Sequence, residues 1–130
     1  MTIAEVSRAC SIPVDTLRYY ERIGLLPPVN RSKSGFRDYT DSDRQWVSFI
    51  KCMRAAGIPV EALIDYVALF QQGDTTREAR RQLLVEQREA LRGRVEELQK
   101  TLDYLTEKIH RYDEWNPAAE ERLLSGGGEG

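Results

Sequence analysis

A chain of 130 residues with 41% hydrophobic content can bury one modest core, or a small domain with an extended appendage, and is too short for a large enzyme. No apolar run approaches the ~18 residues of a membrane span, and the opening "MTIAEVSRACSIP" lacks the apolar centre of a secretion signal, so a cytoplasmic protein with no membrane partner is expected. The net charge is −2, yet residues 1–54 hold nine Lys/Arg against six Asp/Glu and the remainder ten against fifteen; the basic excess lies where a polyanion would be attracted.

Thr2 and Glu5 have capping-box spacing, and Ile3, Val6 and Ala9/Cys10 follow at helical intervals, which predicts a short first helix ending near Cys10. Ser11, Ile12 and Pro13 make a brief turn. A second helix then carries Val14, Leu17 and "DTLRYYERIGLL" as far as Gly24, a natural left-handed stop. Two short helices joined by a tight turn form a helix-turn-helix. Over residues 25–40, Pro27 and Pro28 forbid helix, "NRSKSG" favours a turn, and Phe36 and Tyr39 favour extended chain, so a small two-stranded wing is expected.

Thr40 and Asp43 cap a third helix whose buried face is Trp46, Phe49, Ile50 and Met53, ending at Gly57. Pro59 begins a fourth, which buries Val60, Leu63, Ile64, Val67 and Phe70 and breaks at Gly73. Thr75 and Glu78 repeat the capping spacing, and no proline recurs before Pro117, which allows a helix of roughly 55 to 60 Å at about 1.5 Å per residue. Placing Val95 at heptad position a puts Leu102 and Ile109 at a and Leu91, Leu98, Leu105 and Tyr112 at d, a narrow coiled-coil seam. So thin a stripe is best covered by a second copy. An antiparallel homodimer is the economical arrangement, although heptads alone do not fix strand direction. The expected organisation is a winged helix-turn-helix head at 1–72, a dimerisation helix at 75–114 and a flexible tail at 115–130.

Cys10 and Cys52 are the only cysteines and His110 the only histidine. Without C-x-x-C spacing no structural zinc or redox dithiol is indicated, and no metal, cofactor or catalytic constellation is expected.

The segments "TIAEVSRACSIPVDTLRYYERIGLLPP", "RSKSGFRDYT" and "IKCMRAAGIPVEALIDY" with the closing long helix resemble the MerR family of bacterial transcription regulators over nearly the whole chain. The resemblance implies a mainly α fold: a winged helix-turn-helix followed by a long helix that dimerises as an antiparallel coiled coil. It further implies binding of double-stranded promoter DNA at a pseudo-palindromic site, with the spacer bent and untwisted so that RNA polymerase engages both promoter elements.

The residue chemistry agrees with that reading. Arg18 suits guanine edges or phosphate, Val14 and Thr16 can meet a thymine methyl, and the Tyr19 and Tyr20 hydroxyls can donate to phosphate while their rings cover sugar, unless one ring packs into the core. Asp15 either meets a cytosine amino group or caps the helix, and the cap is favoured. Arg31, Lys33, Arg37 and Tyr39 are expected to grip phosphates from the wing. Lys51 and Arg54 either add phosphate contacts or belong to a solvated face.

"QQGDTTREA" and "RYDEWNPAAEE" lack the cysteines of the family's metal sensors, and too little chain follows Tyr112 for a drug-binding domain. The stretch around Cys52 resembles the thiol-based branch that responds to aldehydes and other electrophiles, which implies that a small electrophile modifies Cys52. A soft thiolate suits that chemistry, and an adduct on a partly buried cysteine would disturb packing. A small core thiol is the alternative, and Cys10 is expected to be one. Two other classes compete with a regulator: an enzyme using Cys52 as nucleophile, which has no histidine nearby in sequence to act as base, and a coiled-coil adaptor, in which the wing cations would be dispensable.

Overall fold

Thr2 opens the first helix with the reciprocal box that its spacing predicts: its hydroxyl accepts from the Glu5 N–H, and the Glu5 carboxylate accepts from the Thr2 N–H, each at 3.1 Å. The structure is a computed structural model and describes residues 1–114; the tail expected at 115–130 lies outside the described residues. The helices are α1 (Ile3–Cys10), α2 (Val14–Arg22), α3 (Asp41–Ala55), α4 (Val60–Gln71) and α5 (Arg77–Asp113). The fold is mainly α, as expected.

The α1–α2 turn is held from within. Ser11 adopts the left-handed conformation (φ 54°), the Ser7 carbonyl accepts from the Ile12 N–H at 3.1 Å, and the Ser7 hydroxyl donates to the Ile12 carbonyl at 2.5 Å. Gly24 (φ 88°) ends the chain path of α2 and lets the Leu25 N–H reach the Tyr20 carbonyl at 2.8 Å. A Cβ there would meet only ordinary contact, 3.7 Å from Ile64 Cγ2. Backbone conformation, rather than crowding, therefore selects glycine.

The expected two-stranded wing is reduced to a single antiparallel bridge between Arg31 and Arg37, the only β pairing among the described residues. A tight turn closes it: the Ser32 N–H donates to the Phe36 carbonyl at 2.7 Å, and the Gly35 N–H to the Ser32 carbonyl at 2.9 Å. With Pro27 and Pro28 before it and Thr40 already capping α3, too little chain remains for a longer ladder.

The core gathers Val6 and Cys10 of α1, Ile12 of the turn, Leu17 of α2, Leu25, Leu26, Val29 and Tyr39 from the segment between α2 and α3, Val47 and Ile50 of α3, Ile58, and Leu63 of α4. On α3 the fully buried positions are Val47 and Ile50, while Trp46, Phe49 and Met53 pack against the core only partly buried. On α4, Leu63 and Val67 are buried and Phe70 is exposed. Trp46 instead anchors an aromatic cluster, 4.9 Å from Phe70 and 5.8 Å from Tyr66 between ring centroids, with the Arg80 guanidinium over Phe70.

Where a Thr75–Glu78 capping box was expected, a 3-10 turn (Asp74–Thr76) leads into α5. Thr76 is buried, and its hydroxyl faces the carbonyls of Leu69 at 2.6 Å and Gly73 at 2.8 Å, which ties the 3-10 turn to the last turn of α4. The chain divides into two compact units, Met1–Leu91 and the remainder from Arg92. Beyond Leu91 every described residue of α5 is exposed. The seam is bare: Val95, Leu98, Leu102, Leu105, Ile109 and Tyr112 are all more than half exposed.

Candidate nucleic-acid interface

In α2 the apolar spacing Val14, Leu17 leaves a second stripe outward. Leu17 is fully buried and Tyr20 packs against the core, while Asp15, Arg18, Tyr19 and Arg22, at helical intervals of three and four, are exposed. Val14 and Thr16 are half-buried at the flank of this stripe. Asp15 does not cap the helix: the N-cap is Pro13, with no side-chain cap bond, and the Asp15 carboxylate pairs with the Arg18 guanidinium at 3.1 Å. The Arg22 guanidinium lies 5.5 Å from the Tyr19 ring centroid. Of the two tyrosines, Tyr20 is thus partly claimed by the core and Tyr19 stands free.

The wing and α2 are joined through Glu21. Its carboxylate accepts from Arg37 Nε and, at 3.0 Å, from the Val29 N–H, with both charged side chains largely shielded from solvent. Burial pushes the Glu21 carboxyl up, but the bonds from Arg37 and Val29 and the charges of Arg37 and Arg31 outweigh it and hold the group below its ordinary 4.5. A depressed carboxyl adds stability above its unfolded pKa and loses it as pH falls through the folded value. Glu21→Gln should therefore lower stability by about 1.5–3 kcal/mol at neutral pH, with the two melting curves converging as pH falls through the depressed folded-state pKa of Glu21. A gap between them that ignores pH would contradict the ion pair's role.

A cleft of about 500 Å³ opens between α1, α2 and the wing, lined by Arg18, Arg31 and Arg37 together with Glu5, Asp38 and Phe36. Arg31 and Lys33 are exposed on the wing. Arg37 lines the cleft with its guanidinium already tied to Glu21.

Besides Asp15, four further positions differ from expectation. Tyr39 is 2% exposed and its hydroxyl is buried without a partner, so it is a core residue rather than a phosphate grip; burial also raises its phenol pKa. Lys51 Nζ donates to the Cys10 carbonyl at 2.7 Å and Arg54 to the Ile58 carbonyl at 2.6 Å. Both cations are exposed, and each spends one of its several N–H donors on a backbone carbonyl. Cys52 is exposed rather than partly buried, whereas Cys10 is buried as expected. Two residues were missed: Arg22, which the four-residue spacing from Arg18 already placed on the same face, and Phe36, 74% exposed beside the wing cations. No sequence pattern distinguishes such an outward aromatic from a core one.

Among the described residues no cluster of His, Cys, Asp or Glu is arranged to hold a metal, and no helix is long and apolar enough to cross a membrane.

A helix-turn-helix with an exposed cationic stripe and an adjoining cationic wing defines a nucleic-acid-binding head. Family profiles agree: one described as MerR HTH family regulatory protein matches residues 1–69, and one described as MerR, DNA binding, matches residues 44–108. The chain belongs to the MerR family and is a DNA-binding transcription regulator, not an enzyme. It is similar to the transcriptional regulator AdhR of Bacillus subtilis, 53% identical over 91 residues, a match that spans 70% of this chain and 65% of AdhR. Its structure resembles that of a Listeria monocytogenes protein assigned to the MerR transcriptional regulators, with TM-score 0.88 and 46% identity over 96% of this chain and 95% of that one. It also resembles HiNmlR, described as a MerR family regulator lacking the sensor domain and bound to promoter DNA, with TM-score 0.78 and 33% identity over 87% of this chain and 90% of that one. Within the family these matches put the chain with the AdhR and NmlR-like regulators.

Proposed function

We propose that this regulator acts as a cytoplasmic homodimer on a pseudo-palindromic promoter site, distorts the spacer so that RNA polymerase can engage, and answers to aldehydes or related electrophiles through Cys52. The head comprises residues 1–72 and the pairing helix residues 75–114. The observation that carries the DNA-binding part is the outward stripe of α2, where Arg18, Tyr19 and Arg22 stand together beside the wing cations Arg31 and Lys33. Guanidinium groups reach guanine edges and phosphates, and Val14 and Thr16 flank them within reach of a thymine methyl. Lys33 and Arg31 would hold the backbone at the neighbouring groove, and Phe36 would cover sugar.

Pairing is supported by the bare seam from Val95 to Tyr112. Burying a large apolar side chain gains about 1.5–3 kcal/mol. With six such residues in each copy, each more than half exposed, pairing two copies brings a gain comparable to or above the roughly 4–15 kcal/mol that association costs. Two heads on a two-fold axis then match two half-sites about one DNA turn, roughly 34–36 Å, apart.

Sensing through Cys52 is supported by the exposure of its thiol on α3, since a soft electrophile must reach the sulfur to react. The resemblance to AdhR favours the same branch. In a reporter strain Cys52→Ala should keep promoter binding in vitro within about twofold, because an exposed substitution alters stability by only ~0.5 kcal/mol, and should abolish induction by aldehyde. Full induction of the Cys52→Ala strain would remove Cys52 from the sensing step.

A further inference from the structure

We infer that Cys10 is the resolving thiol of Cys52, so that the two cysteines of this chain form an intramolecular disulfide site between α1 and α3; this rests on the reading of Cys52 as the reactive thiol. Cys10 closes α1 and is only 8% exposed, with its Sγ 3.7 Å from the Ser48 hydroxyl of α3. Three residues further along α3, Lys51 spans back to the Cys10 carbonyl at 2.7 Å. Ser48, Lys51 and Cys52 follow at intervals of three and four, so they share one stripe of α3, the stripe on which the end of α1 rests. Cys52 stands one turn beyond Ser48, about 6 Å along the axis. Helical side chains lean towards the N-terminus, so the Cys52 thiol leans back towards the place that Cys10 occupies.

The two sulfurs differ in the way a redox pair requires. Cys52 is exposed and meets a dissolved oxidant first, while Cys10 is shielded and reacts with what its neighbour becomes. With a hydroperoxide as oxidant, the Cys52 thiolate attacks the outer peroxide oxygen. The O–O bond breaks, an S–O bond forms, and the alcohol or water leaves after taking a proton. Cys52 is then a sulfenic acid, oxidised by two electrons. Cys10, its proton lost to solvent, attacks that sulfur; the S–S bond forms as the S–O bond breaks, and hydroxide leaves as water. Two thiols and one hydroperoxide thus give one disulfide, one alcohol and one water. Bond formation demands a Cα separation of about 4.4–6.8 Å. A bond of that span fastens the last residue of α1 to α3, next to the left-handed Ser11 turn that leads directly into α2.

The test is peptide mapping of the full-length protein after brief exposure to hydrogen peroxide with dimedone present. The expected result is a wild-type chain with the α1 and α3 peptides joined through Cys10 and Cys52, migrating as a single chain on a non-reducing denaturing gel, and carrying no lasting dimedone. Cys10→Ala and Cys10→Ser should lose the joined peptide and accumulate dimedone on Cys52. Dimedone-labelled or over-oxidised Cys52 beside free Cys10 in the wild type, or a disulfide between two chains, would overturn the resolving role and leave Cys52 as the reactive thiol. A Cys52 that reacts with neither peroxide nor iodoacetamide would overturn both readings, and the wild-type map alone decides the matter if the Cys10 variants fold poorly.

Discussion

Arg18→Ala should weaken binding to a two-half-site promoter fragment by more than tenfold at fixed salt while leaving the melting temperature unchanged. A guanidinium contact to a base edge or phosphate is worth about 1–3 kcal/mol, and every ~1.4 kcal/mol is a tenfold change. A dimer loses the contact twice. The folded chain loses little, because among the described residues Arg18 pairs with Asp15, in an exposed ion pair of α2, and such pairs contribute about 0–1 kcal/mol. That separation makes the variant informative: Arg18 is anchored by nothing that the core needs, so lost affinity reports the interface. Binding should also keep a steep salt dependence, since Arg31, Lys33 and Arg22 remain. Unchanged affinity would show that α2 is not the element that enters the groove.

Leu98→Glu combined with Leu105→Glu should convert the protein from dimer to monomer at micromolar concentration. Both residues sit at d positions of the seam and are 69% and 53% exposed in the single chain, so neither substitution disturbs a packed neighbour in its own copy. In a paired coil each would bury a carboxylate with nothing to neutralise it, at a cost of several kcal/mol. The helix itself should survive, because glutamate is nearly as good a helix former as leucine. Far-ultraviolet dichroism per residue should therefore fall only modestly, while sedimentation shifts to half the mass. DNA affinity should fall with it, since a single head meets one half-site. A dimer that persists with both substitutions would place the pairing surface elsewhere on the chain.

Much of this was readable from short-range pattern. The capping boxes at Thr2 and Thr40, the glycine stops at Gly24 and Gly57, and the heptad positions of α5 are set by residues within a turn or two of one another, which a sequence displays directly. What escaped depends on residues far apart. Glu21 and Arg37 are 16 positions apart, and nothing in "RSKSGFRDYT" announces that one of its arginines ties the wing to α2 while its tyrosine drops into the core. Lys51 and Arg54 read as a charged face, and their bonds to the carbonyls of Cys10 and Ile58 appear only once α1 and the loop after α3 are in place. The exposure of Cys52 depends on which stripe of α3 the core covers. Val47 and Ile50 took that stripe, leaving Trp46, Phe49 and Met53 at its margin and Cys52 outside it. The wing carries a shorter ladder than its composition suggests for a related reason: β-favouring residues name a tendency, while the length of a ladder is fixed by the prolines and the helix cap that bound it.

The two halves of the proposed function meet in one quantity, the number of chains on each duplex. Sedimentation velocity of the full-length protein, mixed at graded ratios with a labelled promoter fragment carrying two half-sites and separately with a random fragment of equal length, measures it directly. Two chains per promoter duplex, with little binding to the random fragment at the same salt, is the expected result. One chain per duplex, or equal binding to both fragments, would contradict the claim that paired cationic heads recognise a symmetric site.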